Sequence, residues 1–310
     1  MLTFLVRRLL ISVPVLIGVT FLVFAMLRLI PGDPAQIILF GSSPTPERVA
    51  ELHKTLGLDH PFLVQYGQYL GRLFTGNLGF SYASNTSVAS EIVQRAPFTL
   101  NLTVFAMLVA LVVGIPTGML AGLRSGSAVD RLATGVSVLG LAVPSFWLAQ
   151  LLVLLFAVTL GVLPALGIGG SKALILPALS LGLGFAAIIT RMLRSSLIET
   201  YQQPYMLVAR AKGLSPWRLL TRHALRNAAS SVVTIVGLQI GNLIAGAVAI
   251  EIIFGRPGLG SYLVARIQQK DVPSIQGIVL FVAVVYLLVN VAVDLTHGIL
   301  DPRIRRGWSR

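Results

Sequence analysis

The sequence contains no cysteine, and only 11% of its 310 residues are charged. Without cysteine the chain has no disulfide, no thiolate nucleophile and no cysteine-ligated metal. Soluble domains carry about 25% charged residues. Because 55% of this chain is hydrophobic, it has too little polar surface to cover a water-soluble globule. The composition therefore predicts an integral membrane protein and excludes soluble enzymes and DNA-binding proteins.

Two further absences limit the chemistry that the chain performs alone. Its four histidines form no H-x-x-x-H or H-E-x-x-H pair, which argues against a zinc hydrolase site. No glycine directly precedes a lysine, so the sequence has no Walker A phosphate-binding loop. We therefore expect no catalytic residue, no metal ligand and no bound cofactor in this chain.

Six long apolar segments match the roughly 20 residues that a helix needs to cross a bilayer. The predicted spans are Leu9–Ile30, Phe98–Leu123, Leu132–Leu160, Ala173–Thr190, Ala229–Ile253 and Ile275–Leu300. Two arginines precede the first segment, as they would in a signal peptide. That segment is longer than a signal-peptide core and no small-residue cleavage site follows it closely, so we interpret it as a retained span.

Most of the 24 basic residues fall on one side of the predicted membrane. Because cytoplasmic loops carry an excess of Lys and Arg, both termini are predicted to be cytoplasmic. Topology and anionic lipid account for the net charge of +13, and nothing else in the sequence indicates nucleic-acid binding. The predicted fold class is an all-α membrane protein with six transmembrane helices.

The predicted chain has three parts. They are a first span with an external helical segment (1–97), a core of five spans with a cytoplasmic segment at 193–228 (98–300), and a basic cytoplasmic tail (301–310). Capping residues and apolar periodicity predict external helices over 46–56, 62–74 and 88–95. This external segment is either a cap over the bundle or a docking surface for an external partner, and the sequence leaves both open.

The cytoplasmic segment between the fourth and fifth spans carries the clearest local signals. A short helix with small residues at Ala209 and Ala211 ends before Gly213, which has the place of a C′ residue with positive φ. Ser215 and Pro216 then start a second helix, as N-cap and first helical residue. Such a pair of helices is either a basic hairpin lying on lipid or an insert for a groove on another protein.

Ala209-x-x-x-Gly213, with Leu225 at the expected leucine, resembles the cytoplasmic EAA loop of ABC importer permeases. The departures from that pattern are Leu207, Val208, His223 and Asn227. The strings A-R-A-K-G-L and H-A-L-R-N resemble the dipeptide/oligopeptide/nickel branch of the family. Further similarity covers Arg7-Arg8 to Ile30-Pro31-Gly32-Asp33-Pro34, Leu56-Gly57-Leu58-Asp59 to Gly76-Asn77-Leu78-Gly79, Glu251-x-x-Phe254-x-x-Pro257-Gly258-Leu259-Gly260, Asp271-x-Pro273 and Asp301-Pro302-Arg303. By this resemblance, which covers nearly the whole chain in order, the sequence is identified as a B-type permease subunit.

The resemblance implies the type I ABC importer permease fold in a prokaryotic plasma (inner) membrane. The implied partners are a second homologous permease subunit, two ABC ATPase subunits that use ATP and Mg, an external substrate-binding protein and membrane lipid. The implied function is half of the translocation path for dipeptides or oligopeptides, with nickel chelates or glutathione as alternative substrates. The ATPase-docking (coupling) helix would comprise Tyr205, Met206, Ala209, Arg210, Ala211, Lys212, Gly213, Leu214 and Ser215.

Three polar residues in the spans are candidates for the substrate path. A charge inside a span is expensive, so a functional role is the default for Asp294, although an ion pair with Arg303 is an alternative. Glu251 ends the fifth span and either meets a substrate amino group or pairs with Arg256. Asn290 either lines a polar path or forms hydrogen bonds between helices.

Two other classes remain as alternatives. A self-contained secondary transporter would need inverted repeats and broken helices around a midplane site, and the two halves of the sequence show no convincing repeat. A membrane-embedded enzyme would need a nucleophile beside a base within the spans. Several serines are present, but His297 is the one histidine within a predicted span, and it lies near the cytoplasmic end.

Overall fold

The computed structural model describes residues 2–28, 35–36 and 45–300, and these residues are almost entirely helical. Within them, a single β-bridge joins Phe80 and Ser87. The helices are α1 (Leu2–Arg28), α2 (Pro46–Leu56), α3 (Phe62–Phe74), α4 (Val88–Leu123), α5 (Ala128–Ala142), α6 (Ser145–Leu152), α7 (Ile175–Tyr201), α8 (Pro204–Ala211), α9 (Leu225–Ile253), α10 (Leu259–Gln268) and α11 (Val272–Leu300).

Shorter helical segments extend three of these helices. A π-helical stretch, Val153–Thr159, follows α6, and a 3₁₀ turn, Ser171–Leu174, precedes α7. A turn at Pro216–Arg218 and a π-helical stretch at Leu219–Ala224 lead directly into α9. The second cytoplasmic helix predicted from the sequence is therefore continuous with the fifth span.

The chain forms two compact units. The first comprises Phe98–Gly260 with the described parts of Met1–Leu5 and Tyr286–Arg310, and the second comprises Val6–Pro97 and Ser261–Val285. The core of the first unit is an apolar cluster with fully buried side chains from α4, α7 and α9, among them Leu102, Leu176 and Leu243.

Four helical segments in the described residues are long and apolar enough to cross a membrane. They are Val88–Leu123, Ser171–Tyr201, Ser230–Ile253 and Val272–Thr296. These segments contain most of the second, fourth, fifth and sixth predicted spans. In α1 the apolar stretch is Leu10–Met26, and the predicted end of the first span at Ile30 lies outside the described residues. The count of six spans and the cytoplasmic termini stay predictions.

The third predicted span, Leu132–Leu160, falls on two helices with a break between them, and its crossing of the membrane stays a prediction. The two helices in this region, Ala128–Ala142 and Ser145–Thr159, are bent by 100° at the break between them. Pro144 causes the break, because it lacks a backbone N–H and disfavours a helical conformation at the residue before it. Val143 accordingly has extended backbone angles (φ −85°, ψ 117°).

Helices α4 and α7 approach each other at backbone distance through the spacing Gly114-x-x-x-Gly118-x-x-x-Gly122. A Cβ atom added to Gly118 would lie 2.9 Å from the carbonyl oxygen of Thr190, and one added to Gly114 would lie 2.8 Å from that of Ala186. In the reverse direction, Gly182 of α7 fits against the Ala106 carbonyl. Such small-residue faces allow helices to pack closely in a bilayer, where hydrophobic burial does not drive their association.

The second unit contains the predicted external helices, and the predicted starts and ends of α2 and α3 are confirmed. Thr45 caps α2 by accepting a hydrogen bond from the N–H of Arg48 (3.4 Å), and Gly57 ends it with φ +67°. The third predicted helix, 88–95, differs because it runs without interruption through Pro97 into the second span as α4. Helix α10 was not predicted at all.

An aromatic cluster joins α1 to α3 in the second unit. Phe24 lies 5.3–5.6 Å, between ring centroids, from Phe62, Tyr66 and Tyr69. The hydroxyl of Tyr66 donates to the carbonyl of Ile17 (3.0 Å). Burial raises the pKa of Tyr69 to about 12, because the apolar surroundings disfavour the charged phenolate.

The close approach of α4 and α7 predicts that adding one methyl group lowers stability at Gly118 but not at Gly135. Gly118→Ala forces a Cβ atom against the α7 backbone, which should lower the free energy of unfolding by about 1–3 kcal/mol. Gly135→Ala on α5 is the matched control, because a Cβ atom there meets nothing within 4 Å. Alanine is favoured over glycine in a helix by about 0.5–1 kcal/mol, so this control should hold or raise stability.

Thermal unfolding of the detergent-purified variants, followed by tryptophan fluorescence, measures the difference. Equal midpoints for Gly118→Ala and the wild-type chain would contradict the described contact.

Candidate functional site

Helix α8 is a short, sharply bounded helix between the two longest helical stretches of the first unit. It begins at Pro204 after the extended residue Gln203 and ends at Ala211. The N–H of Gly213 donates to the Arg210 carbonyl (2.9 Å), and the N–H of Leu214 donates to the Ala209 carbonyl (3.3 Å). These two bonds form a Schellman motif, which requires the positive φ of +77° found at Gly213.

The predicted start of the next helix is also confirmed. The hydroxyl of Ser215 accepts a hydrogen bond from the N–H of Arg218 (3.4 Å), as expected for an N-cap residue. The predicted end of the first helix before Gly213 is confirmed too, so the predicted docking residues from Tyr205 to Ser215 cover α8, the turn at Gly213 and the N-cap of the next helix. The segment therefore consists of two helices joined by a tight turn.

The inner side of α8 anchors it to the helices beneath. Met206 is fully buried and Ala209 nearly so, in an apolar cluster with Leu193 and Leu197 of α7. The cluster also includes Leu219, Leu220 and Ala224, while Leu214 packs against its edge. Because both flanking helices contribute to this cluster, α8 is held as a body at their ends.

The outer side of α8 is exposed and includes large apolar side chains. Leu207 is 60% exposed and Val208 is 55% exposed, with Tyr205 beside them. Trp217, on the helical turn that follows, is exposed as well. The remaining predicted docking residues on this surface are Arg210, Ala211, Lys212, Gly213 and Ser215, all exposed. The nine predicted residues thus divide between an inner anchor and an outer surface.

A cavity of about 680 Å³ lies between the ends of α4 and α7, and Arg210 is the residue of α8 that lines it. The end of α4, the end of α7 and the loop after α8 line it, with polar groups from Ser125, Gln202 and Arg210. The guanidinium of Arg210 lies over the ring of Tyr201, 5.4 Å from its centroid. Arg210 is therefore the residue of the outer surface that lies next to the cavity.

An ion pair between Asp130 and Arg194 lies near the same end of α7, and the sequence reasoning missed it. Arg194 contacts both carboxylate oxygens, Oδ1 through Nε and Oδ2 through Nη2 (2.8 Å). Asp130 is 3% exposed and also accepts a hydrogen bond from the N–H of Gly126 (2.8 Å). The available sequence signal was an acid in the first turn of a helix capped by Ser127, which indicates a helix start and not a distant partner.

The predicted substrate-path residue Glu251 is fully buried at the end of α9. Its carboxylate accepts a hydrogen bond from the hydroxyl of Thr99 (2.5 Å), and that hydroxyl accepts one from the N–H of Leu259 (2.8 Å). Gly258 and Gly260 leave room for the carboxylate, because a Cβ atom at either position would contact it. In this conformation Glu251 connects chain segments within the first unit.

Arg256, the alternative partner considered for Glu251, is held by backbone groups. Its guanidinium donates to the carbonyls of Gly167 (2.6 Å) and Phe98 (3.2 Å). Its own N–H donates to the Glu251 carbonyl (2.8 Å). These contacts hold the loop after α9 against Phe98 of α4 and against the loop that contains Gly167.

Asn290 and Asp294 lie one turn apart on α11, and both are partly buried. Tyr286 and Val293 of the same helix pack against Gly241 and Gly237 of α9. Helical periodicity places Asn290 between them, on the side that faces α9. A role for these residues or Glu251 in a substrate path stays a prediction, and Arg303 lies outside the described residues.

Two protein families match successive parts of the chain. Residues 114–306 match the binding-protein-dependent transport system inner membrane component, and residues 1–103 match the N-terminal region of such membrane components. The dipeptide transport system permease protein DppB of Escherichia coli strain K12 is 41% identical, over 98% of this chain and 99% of that protein. The di/tripeptide transport system permease protein DppB of Pseudomonas aeruginosa strain UCBPP-PA14 is 40% identical, over the same shares.

Solved structures share the fold at low sequence identity. A chain of the inward-facing MetNI methionine ABC transporter matches with a TM-score of 0.55 and 19% identity, over 68% of this chain and 96% of that one. A chain of an amino acid ABC transporter matches with a TM-score of 0.51 and 14% identity, over 69% and 94%. This similarity confirms the predicted type I ABC importer permease fold.

These matches favour the importer interpretation over a secondary transporter or a membrane-embedded enzyme. The chain is an integral inner-membrane protein, a permease subunit of an ABC importer, and it belongs to the family of binding-protein-dependent transport system inner membrane components.

Proposed function

We propose that this chain forms one half of the translocation path of an ATP-driven dipeptide importer, and that α8 docks in a groove of a cytoplasmic ATPase subunit. The names of the similar proteins from E. coli and P. aeruginosa support the peptide substrate. The partners are a second homologous permease, two ATPase subunits that bind ATP and Mg, and an external binding protein. The chain itself hydrolyses no ATP and holds no cofactor.

The position of α8 carries the docking proposal, because α8 follows a charged length of α7 and precedes a basic helical stretch, both outside the predicted spans. Helix α7 runs ten residues beyond Arg191 to its end at Tyr201, which is about 15 Å at a rise of 1.5 Å per residue. On the other side, the helical stretch from Pro216 runs about 20 Å before the predicted fifth span, which starts at Ala229. The headgroup layer is only about 5–8 Å thick on each side.

Protein contact explains the exposed side chains better than the alternative of a hairpin lying on lipid. Leu207, Val208 and Trp217 supply apolar and aromatic anchors, and Arg210 and Lys212 surround them with positive charge. Buried aromatic and arginine anchors within a polar rim are typical of protein interfaces. The outer side of α8 is therefore the part that enters the ATPase groove, and Met206 and Ala209 hold it from behind.

Rigid attachment lets α8 report the state of the ATPase to the membrane helices. ATP binding closes the ATPase dimer and moves the groove, and α8 moves with it as a body. Met206 transmits this displacement to Leu193 and Leu197 of α7 through the apolar cluster. The Schellman turn at Gly213 keeps α8 from merging with the next helix, so the displacement is not absorbed within the segment.

Substitution of Gly213 should uncouple ATP hydrolysis from transport. Gly213→Val places a β-branched residue at φ +77°, which strains the turn that bounds α8. We expect normal membrane insertion, retained ATP hydrolysis and at least a tenfold loss of uptake in reconstituted complexes. Gly76→Val is the matched control, since Gly76 has φ +74°, equally open space and a position outside the docking segment. Normal uptake by Gly213→Val would count against the docking role.

A charge on the outer surface of α8 should release the ATPase. Leu207→Asp puts a carboxylate in a contact that is predicted to be desolvated, and hot-spot losses of about 2 kcal/mol or more are usual for such residues. Recovery of ATPase with the tagged chain should fall more than tenfold. Leu63→Asp on α3, at another exposed leucine, should leave recovery unchanged. Full ATPase recovery with Leu207→Asp would place the docking surface elsewhere.

Competition for uptake identifies the substrate. Deleting the gene from its native host should abolish uptake of a radiolabelled dipeptide, and restoring the gene should recover it. Unlabelled dipeptides should compete, whereas glutathione and nickel chelates should not. Competition by glutathione or a nickel chelate alone would retain the importer role and overturn the dipeptide assignment.

A further inference from the structure

The Asp130–Arg194 pair links two helices of the first unit at the end that carries α8. Asp130 lies in the first turn of α5, and Arg194 lies on α7, with both carboxylate oxygens engaged by the planar guanidinium. Bidentate arginine–carboxylate pairs fix orientation as well as distance. The contact therefore restrains both the separation and the relative rotation of α5 and α7.

On the α5 side of this contact, further hydrogen bonds hold Asp130 in place. Asp130 accepts hydrogen bonds from the N–H of Gly126 (2.8 Å) and the hydroxyl of Thr134 (3.4 Å), and its own N–H is capped by Ser127. The neighbouring Arg131 donates to the Gly126 carbonyl (3.0 Å). The ion pair thus holds the loop before α5 and the first turn of α5 as one piece.

The α7 side of the contact shares a single helical turn with the anchor of α8. Leu193 and Leu197 pack in the apolar cluster with Met206 and Ala209, and Arg194 projects from the same turn toward α5. Any displacement that α8 imposes on this turn of α7 is therefore imposed on Arg194 as well. The ion pair extends the displacement to α5.

Helix α5 leads to the break at Pro144, where the chain bends by 100° into α6 and the π-helical stretch Val153–Thr159. Pro144 and Val143 leave the two halves without a continuous helical hydrogen-bond ladder at the break. π-Helical segments frequently occur at functional sites. Because no helical hydrogen bonds bridge the break, a push on the start of α5 can change the angle between α5 and α6.

We propose that Asp130 and Arg194 are positioning residues that transmit the movement of α8 to the broken span α5–α6. The proposal rests on the docking of α8 to an ATPase. In the assembled transporter, α5 and α8 move as one body while the pair is intact. Without it, α8 and α7 move and α5 lags behind.

Spin labels measure this coupled movement directly, because the chain has no native cysteine. Labels at Leu132→Cys on α5 and Gln203→Cys before α8 occupy exposed positions. In the complete complex with the native pair, the distance distribution between them should be narrow and the same in the nucleotide-free and vanadate-trapped states. With Asp130→Asn it should broaden or shift by more than 3 Å on trapping.

Three variants separate transmission from simple stability. Arg194→Lys keeps the positive charge but cannot form two parallel hydrogen bonds to the carboxylate. It should therefore also broaden or shift the label distance on trapping, and it replaces Asp130→Asn if that variant inserts poorly into the membrane. Asp130→Asn with Arg194→Gln removes both charges, which should recover stability because no buried charge is left alone, yet not the coupled movement. Glu91→Gln breaks an ion pair within the single helix α4 (2.9 Å) and should behave as wild type.

The number of dipeptides imported per ATP hydrolysed should fall in the same variants that change the distance between the spin labels. Asp130→Asn and the double variant should each lower the number of dipeptides imported per ATP hydrolysed at least fivefold. If both match wild type in this ratio and in the label distances, the pair has a structural role alone and the proposal is overturned. If adding the ATPases leaves the spectrum of a single label at Gln203→Cys unchanged, the docking of α8 fails instead, and the link fails with it.

Discussion

The backbone contact between α4 and α7 is the constraint on which the functional end of the first unit depends. Gly114, Gly118 and Gly122 bring α4 against the backbone of α7, and Gly182 repeats the arrangement in the opposite direction. Because lipid tails are as apolar as the side chains, this close packing rather than hydrophobic burial determines where α7 lies. The positions of α8 and of the Arg194–Asp130 pair at the end of α7 depend on this packing.

From that position α7 carries two attachments on one turn. Its apolar side holds α8 through Met206, and its polar side holds α5 through the Arg194–Asp130 pair. The first attachment makes α8 a rigid element with an exposed surface, and the second connects it to the span that is broken at Pro144. In the proposed complex, the same helix end connects ATP hydrolysis on a partner subunit to the membrane helices of this chain.

Local patterns in the sequence predict local structure well and distant pairings poorly. The helix ends at Gly57 and Gly213 can be predicted from the sequence, because a helix that ends in a left-handed residue favours glycine at that one position. The size of the bend at Pro144 has no local sequence signal, since proline in a long apolar run is compatible with a mild kink as well as a break. Asp130 and Arg194 are 64 residues apart and share no local signal, so only the packing of α5 on α7 reveals the pair.

The most direct test of the account is the composition of the complex that contains this chain. The tagged chain is purified from its native membrane in mild detergent, and the proteins recovered in stoichiometric amounts are identified by mass spectrometry. We predict a second homologous permease and one or two ATPases with Walker motifs, with ATPase activity in the preparation. Recovery of the chain alone, in several detergents and without ATPase activity, would contradict the account and return α8 to a lipid-facing hairpin.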